Sequence, residues 1–324
     1  MKLDRLGDIT SELSANLVKS IVLPGGFLEW LSKPLAERLR DFKSGASGAR
    51  SGEAADPVRI VVPAGPLVLI GGTPAPDEAI VAMIHLAGGR AAKLAVVPVA
   101  TQEHARAAEE AVRYFARFGM RNIQVLDLTT RERAESPEWC ADLAECDAVF
   151  LCGETAAIGL AVLRGSACAR TLQQMMAAGK PVAGMGGGAA ILSDRLVIEQ
   201  DGHEVLTAGL GLAPSLVIDA YFTQESRFGH LVKALNKEGA TSLMGVGLDA
   251  GASVVIKDGE AKVLGESSVT FLDARESTPA SDQANYPPGA MCGLKVHVLM
   301  DGFGMNLRTR KPVGPPVAQA VNER

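Results

Sequence analysis

Three consecutive glycines, Gly186 to Gly188, follow the apolar run Pro181 to Gly184 and precede a segment of helical composition. In strand-to-helix turns written G-x-S-x-G, the sharp bend presents a serine hydroxyl as a nucleophile for acyl transfer. The frame here is Gly184-Met185-Gly186-Gly187-Gly188, and Gly186 stands where that serine would be. The turn is present and its nucleophile is not. Two other nucleophiles lie close by in sequence: Cys152, at the end of the apolar run Ala148 to Leu151, and Ser193, one helical stretch beyond the glycines. A thiol needs a neighbouring base or cation to react, for which His85, His104, His203, His230 and His297 are the candidates. The same glycines also satisfy the dinucleotide fingerprint G-x-G-x-x-G/A, as Gly184-x-Gly186-x-x-Ala189. That reading is weak: the motif follows the fifth apolar run and not the first. No strand-end acid follows at the right spacing either, with Glu199, Asp201 and Glu204 in a turn-like stretch.

Composition narrows the classes. The chain has 324 residues, 47% hydrophobic and 21% charged, enough to bury a large core. Its net charge of -5 and lack of a polybasic block give no reason to expect nucleic acid. No apolar run is long enough for a membrane span, and Asp4, Asp8 and Glu12 interrupt what would be the apolar stretch of a signal peptide. Five cysteines, at 140, 146, 152, 168 and 292, form no C-x-x-C pair. An odd count without a secretory signal predicts reduced, mostly buried thiols and a cytoplasmic protein. The even spacing of Cys140, Cys146 and Cys152 invites a metal reading, but no histidine is near in sequence, and neither a metal nor a cofactor is expected.

The elements that must position these residues alternate regularly from Leu67. Strands are expected at 67–70, 94–97, 123–126, 148–151 and 182–183, with helices between them, the longest from Gln102 to Phe118. Buried apolar strands separated by helices predict an α/β fold, a mostly parallel sheet with helices on both faces. Ligands of such sheets sit outside the carboxyl ends of the strands, where both Cys152-Gly153-Glu154 and the glycine turn fall. Towards the C-terminus, segments 243–248, 253–256, 261–264, 269–272 and 294–300 read as antiparallel strands, with Asp258-Gly259 as a hairpin turn. Residues 275–289 read as a polar insertion. Upstream, residues 1–43 read as a helical extension, a hairpin broken at Pro24-Gly25-Gly26 with one apolar face carrying Trp30. That face would pack on the core or a partner subunit, or, with Lys33, Arg38, Arg40 and Lys43 beside it, on a membrane surface. Residues 44–65 read as a linker, 66–307 as the α/β domain and 308–324 as a flexible tail.

In this order the segments LVLIGG, LAGGRAAKLAVVPVAT, AVFLCGET, the glycine turn, GLGLAPSLVIDAYF, GVGLDAGASVVI and GLKVHVLMDG resemble the cyanophycinase and aspartyl dipeptidase family of serine peptidases. The resemblance implies a sheet like that of class I glutamine amidotransferases. It also implies hydrolysis of peptide bonds after aspartate, including the β-linked Asp-Arg units of cyanophycin, and a tendency to dimerise. The family's G-T-S-A-G-A elbow corresponds to Gly184–Ala189, which puts Gly186 at the nucleophile. Its D-Q-H-F segment corresponds to Asp219–Phe222, which puts Tyr221 at the general base. Its G-I-D-E segment corresponds to Gly247–Ala250, so that Ala250 replaces the acid and Asp249 is its neighbour. A phenol, with a reference pKa of about 10, is a poor base at neutral pH.

Losing one member of such a triad costs several orders of magnitude in rate, and losing more adds little. Serine-peptidase turnover is therefore not expected. The resemblance further places Gly153 and Gly187 at the oxyanion-hole amides and Glu154, Gln224 and Arg227 on the substrate side, with Glu225 at a formerly basic position and His230 at another. The expected protein is a catalytically inactive relative that binds a small carboxylate or amide, or serves as a homodimeric or partner subunit. The alternative is an amide hydrolase with a relocated nucleophile such as Cys152, with His230 its best-placed base.

Overall fold

The computed structural model describes residues 26–32, 61–200, 203–236, 242–279 and 291–314. Most of the expected N-terminal hairpin, the linker up to residue 60, part of the polar insertion and the last ten residues lie outside them. The described part opens with α1 (Phe27–Ser32) and runs β1 (Leu67–Ile70), α2 (Asp77–Leu86), β2 (Leu94–Val97), α3 (His104–Arg117) and β3 (Ile123–Val125). It continues through α4 (Arg131–Glu135), α5 (Pro137–Glu145), β4 (Ala148–Leu151), α6 (Ala156–Leu163), α7 (Ala167–Ala177), β5 (Val182–Met185) and α8 (Gly187–Ala190). The hairpin β6 (Arg195–Gln200) and β7 (His203–Ala208) precedes β8 (Leu216–Ala220), α9 (Phe228–Leu235) and β9 (Met244–Leu248). Then come β10 (Ala252–Lys257), β11 (Glu260–Gly265), β12 (Val269–Asp273), β13 (Thr278–Pro279) and β14 (Met291–Cys292). The chain ends with β15 (Lys295–Leu299), β16 (Gly304–Asn306) and β17 (Lys311–Val313).

A nine-stranded sheet in the order β17-β16-β11-β10-β1-β5-β4-β2-β3 forms the centre. Its five strands β1, β5, β4, β2 and β3 are parallel, all but the edge strand β3 fully buried, and covered by helices on both faces. This is the α/β architecture expected, and β10 and β11 extend it antiparallel from β1. Asp258 and Gly259 both have positive φ, 56° and 85°, the pairing that a two-residue hairpin of strand-matched twist requires. A second sheet, β15-β12-β9-β8, packs its inner face under α9, with Phe222, Leu231 and Leu272 in one cluster.

Two boundaries move. The described part of the N-terminal extension is α1, which docks on its own domain: Phe27 and Leu31 are buried, the Trp30 indole donates to Glu260, and the Lys262 ammonium lies 5.6 Å from the Trp30 ring centroid. Residues 308–313, expected to be part of a flexible tail, are instead built into the fold, because β17 pairs with β16 and the Arg310 side chain is buried in the second sheet's ion-pair cluster. No helix among the described residues is long and apolar enough to cross a membrane.

Candidate functional site

The carboxyl ends of β1, β5 and β4 meet where the glycine turn lies, because β5 is hydrogen-bonded between the other two. Gly186 has φ 60° and ψ -126°, a backbone setting that favours glycine, and its amide donates to the Ile70 carbonyl at 3.0 Å. The neighbouring glycines have a different cause. A Cβ on Gly188 would lie 2.3 Å from the Leu151 carbonyl oxygen, and one on Gly187 2.7 Å from the Ala156 amide nitrogen. Gly187 and Gly188 let the turn press against the β4–α6 loop, and Gly153, at φ 125°, packs equally tightly on the backbone of Ala100. At Gly186 a Cβ would meet the Gly153 carbonyl oxygen at 2.9 Å and the Tyr221 ring at 3.4 Å.

Tyr221 is itself unusual, with φ 51°. Its amide donates to the Gly71 carbonyl at 3.0 Å, and its hydroxyl accepts from the Thr73 amide at 3.2 Å. The ring lies so close over Gly72 that a Cβ there would be 2.3 Å from it. A non-glycine residue in the left-handed region costs free energy that its surroundings must offset. Here two hydrogen bonds and the ring's seat on Gly72 hold it beside the turn.

Between these groups lies a cavity of about 130 Å³, lined by Thr73, Thr101, Glu103, Arg106, Glu110, Cys152, Gly153, Glu154, Gly186 and Tyr221. Arg106 pairs with Glu103 at 2.8 Å, and Glu110 accepts from the Tyr114 hydroxyl at 3.0 Å. Three carboxylates against one guanidinium leave the rim net negative. Phosphates would be repelled, and the helix that follows β5 is four residues long, so the dinucleotide fingerprint lacks both its charge and its long helix.

The sequence profile of Peptidase family S51 matches residues 67–264. The chain belongs to peptidase family S51. Among its relatives, the cyanophycinase of Trichormus variabilis is 29% identical over 236 residues, covering 69% of this chain and 78% of the relative. The cyanophycinase of Geminocystis herdmanii is 26% identical over 240 residues, covering 71% and 88%. The crystal structure of a peptidase from an acI-B1 Actinobacterium shares the fold, with a TM-score of 0.56 over 77% of this chain and 98% of that one at 17% identity.

In this S51 chain the sequence-predicted residues fall into two groups. Gly153, Glu154, Gly186 and Tyr221 meet at the cavity, and so does Cys152. Gly187 opens α8 directly beneath it. The others are turned to structural work. Asp249 accepts from the Thr223 amide at 3.0 Å and the Ser268 hydroxyl at 2.6 Å, so one oxygen anchors the loop after Tyr221 and the other the segment before β12. Gln224 accepts from the Ala250 amide at 3.2 Å. Arg227, expected to meet a ligand carboxylate, is paired instead with Asp219 at 2.5 Å and Glu225 at 3.1 Å. Ser193 is fully buried and accepts from the Ile218 amide at 2.9 Å.

Cys152 is a poor candidate nucleophile. It is fully buried, its Sγ lies 3.9 Å from the Val97 carbonyl and 3.8 Å from that of Ala107, and burial, reinforced by Glu110, pushes its thiol up to about 12. A reactive thiolate needs the opposite surroundings. His230, its expected base, lies on α9 and is not part of the cavity lining. His85 meets the Ser32 hydroxyl at 3.1 Å, and Nδ1 of His104 bonds the Pro98 carbonyl at 2.8 Å. Thr73, Thr101, Glu103, Arg106 and Glu110 escaped the sequence reading. Thr73 and Thr101 sit just beyond the carboxyl ends of β1 and β2, which was the available signal.

Asp219 supplies a pH prediction. Burial pushes its carboxyl up to about 6 against the pull of Arg227. A carboxyl raised in the folded state binds its proton more tightly there. The stability it contributes is full below about pH 4 and is lost as pH rises through 6. Relative to Asp219→Asn, the parent protein is expected to lose about 3 kcal/mol of unfolding free energy between pH 4 and 7. Urea titrations across that range measure the difference, and parallel pH profiles would contradict it.

Proposed function

We propose that this S51 chain is a non-catalytic member of its family that holds a small amide or carboxylate ligand above Gly186, or serves in that form as a partner subunit, in the reducing cytoplasm. The observation that carries this reading is the turn itself. Its backbone has the bend that presents a nucleophile, Gly186 offers no side chain there, and the Tyr221 ring occupies the adjoining space. The cavity is of a size for a small group, and the amides at Gly153 and Gly187 are the kind of donor that receives a carbonyl oxygen. The rim of Glu103, Glu110 and Glu154 favours a neutral amide over a free anion. The cyanophycinase relatives make β-Asp-Arg dipeptide the first ligand to try.

The test is to incubate the pure protein with β-Asp-Arg and a panel of aspartyl peptides, following released amino groups, with a thermal-shift screen of amides and carboxylates in parallel. No turnover, with a concentration-dependent shift for amides that Tyr221→Ala weakens, is the expected result. Turnover abolished by Cys152→Ala would overturn the reading in favour of a thiol hydrolase.

A further inference from the structure

Away from the cavity, two sulfurs touch. Cys140 lies in α5 and Cys168 is the second residue of α7, and their Sγ atoms are 3.2 Å apart. Cys140 is half-buried on the flank of the domain, and Cys168 is buried. The contact is fixed by its surroundings. Leu143 of α5 and Cys168 and Leu172 of α7 share one core cluster, against which Trp139 and Cys140 pack. The Ser166 hydroxyl caps α7 by accepting from the Ala169 amide at 3.0 Å. The Lys180 ammonium donates to the carbonyls of Ala144 at 2.8 Å and Cys146 at 2.7 Å, tying the end of α5 to the segment that enters β5. A disulfide bond is about 2.05 Å long, so covalent closure brings the two sulfurs together by about 1 Å.

We infer that Cys140 and Cys168 form a reversible modification site, a disulfide staple between α5 and α7 closed by exchange with a small disulfide of the oxidised-glutathione class. The Cys140 thiolate attacks one sulfur of that disulfide, forming a mixed disulfide and expelling one small thiolate. Cys168 then attacks the Cys140 sulfur, and the second small thiolate leaves. Two protein thiols are oxidised, one small disulfide is reduced to two thiols, and the two protein protons end on those thiols. Cys140, the more accessible of the two, meets the oxidant first. Burial and the contact with Cys140 push the Cys168 thiol up, which makes its attack on the mixed disulfide the slower step. The remaining thiols are placed differently. Cys146 donates to the Asp142 carbonyl at 3.3 Å, Cys152 is enclosed beneath the cavity, and Cys292 is exposed on β14. The stapled helices lead into β4 and β5, the strands that end at Gly153 and Gly186.

The experiment uses the full chain with Cys292→Ser, which removes the exposed thiol, treated with oxidised glutathione at neutral pH. The expected result is loss of two titratable thiols and two hydrogens of intact mass, reversed by dithiothreitol, with Cys140 and Cys168 cross-linked in the peptide map. The melting temperature of the oxidised protein should rise by about 5 °C. Cys140→Ser, a change at a half-buried position, should abolish both the cross-link and the rise. Retention of every thiol, a glutathione adduct that stays on Cys140, or a cross-link to any other cysteine would overturn the inference.

Discussion

Replacing Asp273 with alanine is expected to lower the unfolding free energy by about 3–5 kcal/mol, because it strands a buried positive charge. Arg310 has a side chain 1% exposed and donates to Asp273 at 2.7 Å, to the Leu243 carbonyl at 3.1 Å and to the Ser242 carbonyl. Arg275 grips the other carboxylate oxygen at 2.8 Å. Although burial alone would raise the Asp273 carboxyl, the bonds from the two guanidiniums hold it down at about 2. A depressed carboxyl contributes stability that is present above about pH 4 and lost as pH falls through 2, an amount of about 2.5 kcal/mol. The larger cost of the alanine variant reflects the orphaned Arg310 in addition. Arg310→Met should cost less, since Asp273 keeps Arg275. Chemical denaturation of both single variants and the double variant closes the cycle. If Asp273→Ala cost under 1 kcal/mol, the cluster would not be what fixes the C-terminal strands.

That cluster also marks where the sequence stops being informative. The parallel half of the sheet was legible because each strand is buried on both faces, giving uninterrupted runs such as Leu67–Ile70 and Ala148–Leu151. The Asp258-Gly259 turn was legible because its two residue types readily take the positive φ that the hairpin requires. What no local pattern announces is pairing between distant segments. β10 and β11 join the central sheet through β1, nearly 190 residues away in the chain, and β17 is a polar, Pro-containing edge strand whose composition resembles a tail. Arg308–Arg310 looked like loose basic residues until Asp273, a long way upstream, came to meet Arg310. The cavity divides similarly. Gly153, Gly186 and Tyr221 carry motif signals, whereas Glu103 and Glu110 reach the rim because α3 runs past it, and their spacing within α3 gives no hint of a ligand. Cys140 and Cys168 meet through helix packing, which the regular spacing of Cys140, Cys146 and Cys152 does not announce.

Within the glycine turn, Gly188→Ala is expected to be the most damaging single methyl, costing about 3 kcal/mol or more. Its Cβ would stand 2.3 Å from the oxygen and 2.7 Å from the carbon of the Leu151 carbonyl. That carbonyl belongs to β4, which is hydrogen-bonded to β2 on one side and β5 on the other and has no room to retreat. Gly186→Ala faces a different obstacle. Its nearest neighbour is the Gly153 carbonyl oxygen at 2.9 Å, and the main penalty is a side chain at φ 60°, ψ -126°, of order 1–3 kcal/mol. Melting curves of the two variants should rank in that order, and the reverse would mean that the turn is strained and not packed. Gly186→Ser carries the same backbone penalty and adds a hydroxyl beside the Tyr221 ring. It is nevertheless expected to remain inactive on β-Asp-Arg. A serine needs a base to take its proton, and the Tyr221 hydroxyl is engaged with the Thr73 amide in an orientation fixed by Gly72. The adjoining carboxylate gives no help, since Asp249 is committed to Thr223 and Ser268. Turnover by this single variant would show that another group accepts the proton, and the view of Tyr221 as a closed base position would fall with it.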